Sequence, residues 1–158
     1  MSSVVIVDDS KETCEAITRL VEREGHRAIP VEHSDEAADV VRAVRPDVVL
    51  LDVMMPGKNG LEVLRRIRED RDLDRTAVVM CTAVDDEEVE RAARELGAND
   101  YVVKSSTWER VWQCIGRFVK VERPVGAAGD PIAPDVSLAD VIAGRTEGGA
   151  AMLSARVG

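Results

Sequence analysis

Four short apolar runs in this chain each stop at a polar side chain, and that coincidence limits the possible folds more than any other feature. Val4-Val5-Ile6-Val7 is closed by Asp8-Asp9, and Val48-Val49-Leu50-Leu51 by Asp52. Val78-Val79-Met80-Cys81 is closed by Thr82, and Tyr101-Val102-Val103 by Lys104. β-Branched runs of this length, bounded by turn residues and separated by helical patterns, read as parallel strands buried on both faces. In an open parallel sheet, ligands bind at the edge formed by the carboxyl ends of the strands. Three carboxylates, a hydroxyl and an ammonium are therefore expected in one small pocket.

The segments between the runs carry helical periodicity. Cys14, Ile17, Leu20 and Val21 recur at three and four, and Gly25 follows them. A shorter strand is expected from His26 to Val31. Ser34 is read as the cap of a helix carrying Ala37, Val40, Val41 and Val44, which Pro46 ends. The loop from Met54 to Gly60 leads into a helix with Leu61, Leu64 and Ile67 inward. A fourth helix starts near the acids Asp85-Asp86, where the helix dipole favours them, buries Val89, Ala92, Ala93 and Leu96, and stops at Gly97. The last helix takes Ser105, Ser106 or Thr107 as its cap and buries Val111, Trp112, Ile115, Phe118 and Val119. Trp108 and Trp112 stand one turn apart; either both pack on the sheet or Trp108 anchors a partner.

Five βα units with right-handed crossovers predict an α/β fold: a doubly wound, five-stranded parallel sheet with helices on both faces. For five strands the flavodoxin-like order 2-1-3-4-5 opens its crevice between the first and third, which here carry Asp8-Asp9 and Asp52.

The net charge of -9 disfavours direct nucleic-acid binding, because a phosphate backbone would be repelled. Cys14, Cys81 and Cys114 are isolated and odd in number, as expected of reduced thiols in a cytoplasmic protein. His26 and His33 lack partners at metal-ligand spacing. No apolar stretch approaches a membrane span, and the amino terminus lacks a secretory leader pattern. Residues 1–120 are expected to form the βα domain. Residues 121–158 turn rich in Gly, Ala and Pro and read as a mostly flexible extension, with a possible short helix at 138–143 that starts at a capping box and could dock.

Carboxylates crowded within a few ångströms ionise together only around a cation, and oxygen ligands in that number suit Mg²⁺. Asp52 in such a cluster is also a candidate nucleophile, since aspartyl phosphates are a known covalent intermediate. Lys104 and Thr82 are groups that stabilise charge on a transferred phosphoryl.

With these residues in place, the chain from residue 3 to about 120 resembles the receiver domain of two-component response regulators. The resemblance rests on Asp8-Asp9, Leu51-Asp52-Val53-Met54-Met55-Pro56-Gly57 with Gly60, Thr82-Ala83, Tyr101 and Lys104. Thirty residues separate Asp52 from Thr82, and twenty-two separate Thr82 from Lys104, as in that family. The resemblance implies that Asp52 accepts a phosphoryl group from a sensor histidine kinase and that Thr82 and Lys104 assist. It implies Mg²⁺ held by Asp9, Asp52 and the Met54 carbonyl, with Asp8 acting through water. Thr82 and Tyr101 would form the switch that alters a face made of helix four, strand five and helix five, through which a downstream protein is engaged. Met54 and Val84, two residues beyond Asp52 and Thr82, cannot orient an attacking water, which implies a long-lived phosphate. Ser105 stands where the family usually has Pro after the lysine; a cis peptide without Pro costs about 2.5–4 kcal/mol, so this peptide is either trans or strained.

A stand-alone response regulator signalling by protein contact is the leading expectation. The alternative is a phosphorelay intermediate that passes the phosphoryl group to a histidine phosphotransfer domain. A dehalogenase-type phosphatase needs a second Asp where Met54 stands, and a flavin phosphate would meet Asp8-Asp9 instead of a donor-rich loop. Neither enzyme fits, so the chain is expected to be a phosphoacceptor and not a classical enzyme.

Overall fold

The structure, a computed structural model, describes residues 2–57, 59–119 and 136–144. Five strands, β1 (Ser3–Val7), β2 (Arg27–Val31), β3 (Val48–Leu51), β4 (Ala77–Thr82) and β5 (Asp100–Val103), form one parallel sheet in the order β2-β1-β3-β4-β5. The helices between them are α1 (Lys11–Arg23), α2 (Ser34–Val44), α3 (Gly60–Glu69) and α4 (Glu87–Glu95), followed by α5 (Trp108–Gly116). The predicted architecture and strand order are those observed.

Alternation along the strands explains the double winding. Val4, Ile6, Val48, Leu50, Val79 and Cys81 face a core closed by α1 and α5. The intervening residues Val5, Val7, Val49, Leu51, Val78 and Met80 face a second core closed by α2, α3 and α4. Because side chains alternate along a strand, a run apolar at every position buries both faces, and only helices on both sides can cover it. The edge strand β2 tolerates Pro30, whose missing donor would break an interior ladder.

Helix caps hold most boundaries near their expected places. Ser10 caps α1 by accepting from the Thr13 amide at 3.2 Å, Asp86 caps α4, and Thr107 caps α5. Ser34 is not a cap: it is the first residue of α2, and its hydroxyl donates to the Pro56 carbonyl at 3.5 Å. That carbonyl lies in the loop after β3, so tertiary proximity outcompetes the local cap. Helix α4 is shallower than its periodicity predicts. Only Ala93 is fully buried, while Val89 and Leu96 pack at the margin of the core. The helix lies against a rim of the sheet near the edge strand β5, where little second-layer area is available.

The expected boundary near residue 120 lies outside the described residues, as does most of the extension. Within it, Leu138–Ile142 form a short helix, α6, whose Leu138 is fully buried in the core shared with α1 and α5. No helix among the described residues is long and apolar enough to cross a membrane.

Trp108 is buried, so it does not serve as an exposed anchor. Its indole N–H donates to Glu24 at 3.4 Å, and Trp112 stacks between it and His26. The stripe Trp108, Val111, Ile115 is what α5 turns toward the sheet. That face belongs to the α1 side of the fold.

Candidate functional site

The sheet register brings the site residues together. Val7 lies opposite Leu51, so Asp8 and Asp52 leave neighbouring strands at the same level. The ladder continues one rung past each strand: the Asp8 amide donates to Val31, that of Asp52 to Val7, and that of Lys104 to Thr82, at 2.8–3.1 Å. Each functional side chain thus springs from a backbone that is still pinned to its neighbour.

Lys104 is the centre of the cluster. Its Nζ donates to Asp8 Oδ2 at 2.6 Å and to Asp52 Oδ2 at 3.1 Å. The other oxygen of Asp8 accepts from the Ser10 amide at 2.9 Å, and that of Asp52 from the Met54 amide at 3.2 Å. Asp8 and Asp52 are buried, while Asp9 is exposed at the mouth. One carboxylate oxygen from each of the three lies within 4.8 Å of the others.

Electrostatics set what this pocket accepts. Burial pushes the Asp8 carboxyl up to about 6, although Lys104 pulls it the other way. Burial also opposes the charge on Lys104, but attraction to Asp8 and Asp52 outweighs it and raises the ammonium above its ordinary value. Three carboxylates around one ammonium leave an excess of two negative charges, partly out of water. A small, hard divalent cation with oxygen preference is the species that charge and donor set suit.

Thr82 and Tyr101 share a partner that the side-chain pattern does not reveal. Thr82 is fully buried, and its Oγ1 accepts from the Val84 amide at 3.2 Å. The Tyr101 hydroxyl, also buried, donates to the Val84 carbonyl at 2.5 Å. The two residues therefore grip one peptide segment from its two ends. The Met54 side chain is 62% exposed beside Asp52. The Lys104–Ser105 peptide is trans, since no cis bond occurs among the described residues.

Gly60 is a positioning residue that motif reading only hinted at. Its amide donates to the Val53 carbonyl at 2.8 Å, and a Cβ on it would stand 2.0 Å from the Asp52 carbonyl oxygen. The start of α3 thus presses directly on the peptide that carries Asp52. Only a residue without a side chain permits that approach.

A family model described as response regulator receiver domain matches residues 4–115. The protein PilH of Pseudomonas aeruginosa is 33% identical over 104 residues, covering 66% of this chain and 86% of that protein. The BeF3-activated N-terminal receiver domain of Klebsiella pneumoniae RstA superposes with a TM-score of 0.69 at 25% identity, over 75% of this chain and 99% of that one. The Mn²⁺-bound form of the response regulator Rcp1 gives a TM-score of 0.64 at 25% identity, over 78% of this chain and 99% of that one.

Two outcomes follow from the geometry. Gly60→Ala must displace backbone and not a flexible side-chain end, so it should cost about 1–3 kcal/mol in denaturant titration and weaken divalent-cation binding. A variant that binds the cation normally would contradict the close approach. The second concerns pH. A carboxyl whose folded pKa is raised contributes stability that is full below its ordinary value of 3.8 and is lost as pH rises through about 6. In chelator, wild-type melting temperature should therefore drop relative to Asp8→Asn across that window. Calorimetric curves that stay parallel would rule out the Asp8 contribution.

Proposed function

This chain belongs to the response-regulator receiver family, and we propose that Asp52 is its phosphoacceptor, loaded from a phosphohistidine on a sensor histidine kinase. The observation that carries this reading is the Lys104 ammonium set between Asp8 and Asp52 at the carboxyl edge of the sheet. An Asp52 oxygen attacks phosphorus, the P–N bond breaks, and its electron pair leaves on the imidazole, which takes up a proton. Lys104 exchanges its bond to Asp8 for one to a phosphoryl oxygen. Thr82 accepts from Val84 and so keeps its own hydrogen to donate to a second oxygen.

Asp8, Asp9, Asp52 and the Met54 carbonyl are the proposed holders of Mg²⁺, and the convergence of three carboxylate oxygens supports that assignment. When bound, Mg²⁺ supplies charge neutralisation to the incoming phosphoryl group. Rcp1, which shares the fold, holds Mn²⁺, a cation of similar preference.

Thr82 and Tyr101 make up the proposed switch. Any shift of Thr82 toward the phosphoryl group pulls on Val84, which the Tyr101 hydroxyl also holds. Tyr101 lies on β5 between α4 and α5, so the strain reaches the α4–β5–α5 face. There Asp100 pairs with Arg94 at 3.1 Å and Arg117 at 2.6 Å, so the surface presented to a downstream protein is highly charged. The acidic net charge of -9 favours protein contacts over direct nucleic-acid binding. Neither Met54 nor Val84 offers a side-chain hydrogen bond to an attacking water, which favours a persistent phosphate. A cytoplasmic setting accords with a kinase partner of this kind.

Acetyl phosphate with Mg²⁺ should add one acid-stable, base-labile phosphoryl group, and Asp52→Asn should abolish it by intact mass. Label that persists in the variant at the wild-type level would sink the assignment. Mg²⁺ should also raise the melting temperature, since a ligand bound only by the folded state stabilises it by about 2.7 kcal/mol at a hundred times its Kd. Identical melting curves in chelator and in excess Mg²⁺ would exclude this cation site.

A further inference from the structure

The loop that carries Lys104 is held from both ends by different parts of the chain. On one side the Lys104 amide donates to Thr82 on β4 at 2.8 Å. On the other, the Lys104 carbonyl accepts from the Ala139 amide at 2.7 Å, and the Ser106 carbonyl from the Leu138 amide at 2.6 Å. Ser137 pairs with Thr107 in an antiparallel bridge beside them. A segment more than thirty positions along the chain therefore closes the turn from which the catalytic ammonium projects.

That segment is anchored by burial. Leu138 is fully enclosed, Val136 is 3% exposed, and Val141 and Ile142 pack on the same core as α1 and α5. Ser137 caps α6, accepting from the Asp140 amide at 3.1 Å. A helix of five residues is not stable by itself in water, so α6 exists because it is docked. No proline stiffens the chain from Lys104 to Thr107. The Lys104 side chain is a flexible stem, and its reach to Asp8 and Asp52 depends on where its own backbone stands.

We propose that residues 136–142 are a positioning element for Lys104, so that docking of this segment and occupation of the Asp52 pocket favour each other. The proposal rests on the phosphoacceptor reading above. Coupling of this kind is reciprocal: a docked segment holds the ammonium where the phosphoryl group needs it, and an occupied pocket holds the segment in place.

The experiment uses the full chain and has two arms. In the wild type, beryllofluoride with Mg²⁺ should slow amide hydrogen exchange at Leu138 and Ala139 by about tenfold, within the usual range of coupling between sites. In Leu138→Asp, which places a charge in an apolar seat, the maximal rate of acetyl phosphate labelling should fall about tenfold or more, because a misplaced ammonium no longer stabilises the transferring phosphoryl group. Mg²⁺ affinity should not fall, because the carboxylates that would hold the cation stay in place and a loosened Lys104 removes a competing positive charge. Ile67→Val, a destabilising change on the opposite core, should leave the labelling rate unchanged. Wild-type labelling in a Leu138→Asp chain whose α6 amides exchange freely would overturn the coupling. If that variant does not fold, the wild-type exchange arm decides alone, and protection unchanged by beryllofluoride overturns it. A wild-type chain that takes no label at Asp52 overturns the site reading itself. A labelled wild type with an indifferent Leu138→Asp overturns only the coupling.

Discussion

Val7 stands opposite Leu51 in the pairing of β1 with β3, and from that register the next residue of each strand, Asp8 and Asp52, must emerge side by side. Two carboxylates so placed, and buried, repel one another unless a cation lies between them. Lys104 provides it from the far side of β4, at 2.6 Å and 3.1 Å. A slip of one residue in either strand would turn these side chains to the opposite face of the sheet, so the apolar pattern that sets the register also sets the site. Fold and chemistry are here a single constraint.

Much of the rest of the structure pins that arrangement in place. Gly60 lets α3 press on the Asp52 peptide, and the Ser10 amide holds the second oxygen of Asp8. The Val84 peptide ties Thr82 to Tyr101, and α6 closes the Lys104 loop through two backbone bonds. Each of these is a contact between main chain and site. A pocket whose walls are pinned in this way can change its geometry only by moving a whole element, and coupled movement of this sort is what a signalling switch requires. The shallow seating of α4, with Ala93 alone fully buried, makes that helix less costly to move than α1, α2 or α3, each of which buries at least four residues.

The elements most legible in the sequence were those set by a period. Runs apolar at every position announced two-sided burial, and the polar residue at each run's end marked the carboxyl edge where Asp8, Asp52, Thr82 and Lys104 converge. Less legible were features set by what another element presents. Ser34 has a good capping side chain, yet it bonds to Pro56, twenty-two positions away. Trp108 has the composition of an interface anchor, yet it is buried with its indole N–H turned to Glu24.

By itself, the order of residues determined the strands, their parallel pairing and the identity of the charged groups at the sheet edge, because burial and side-chain alternation act through local pattern. Tertiary structure alone decided which groups bond to which. The Lys104 bridge, the Tyr101 bond to Val84 and the grip of Leu138 and Ala139 on the Lys104 loop join positions distant in the chain, and the close approach of Gly60 folds the loop after β3 back onto Asp52. Three of them run partly through backbone amides and carbonyls, which every residue carries alike. Such groups leave no mark on residue choice, and their partners are chosen only when packing brings the elements together.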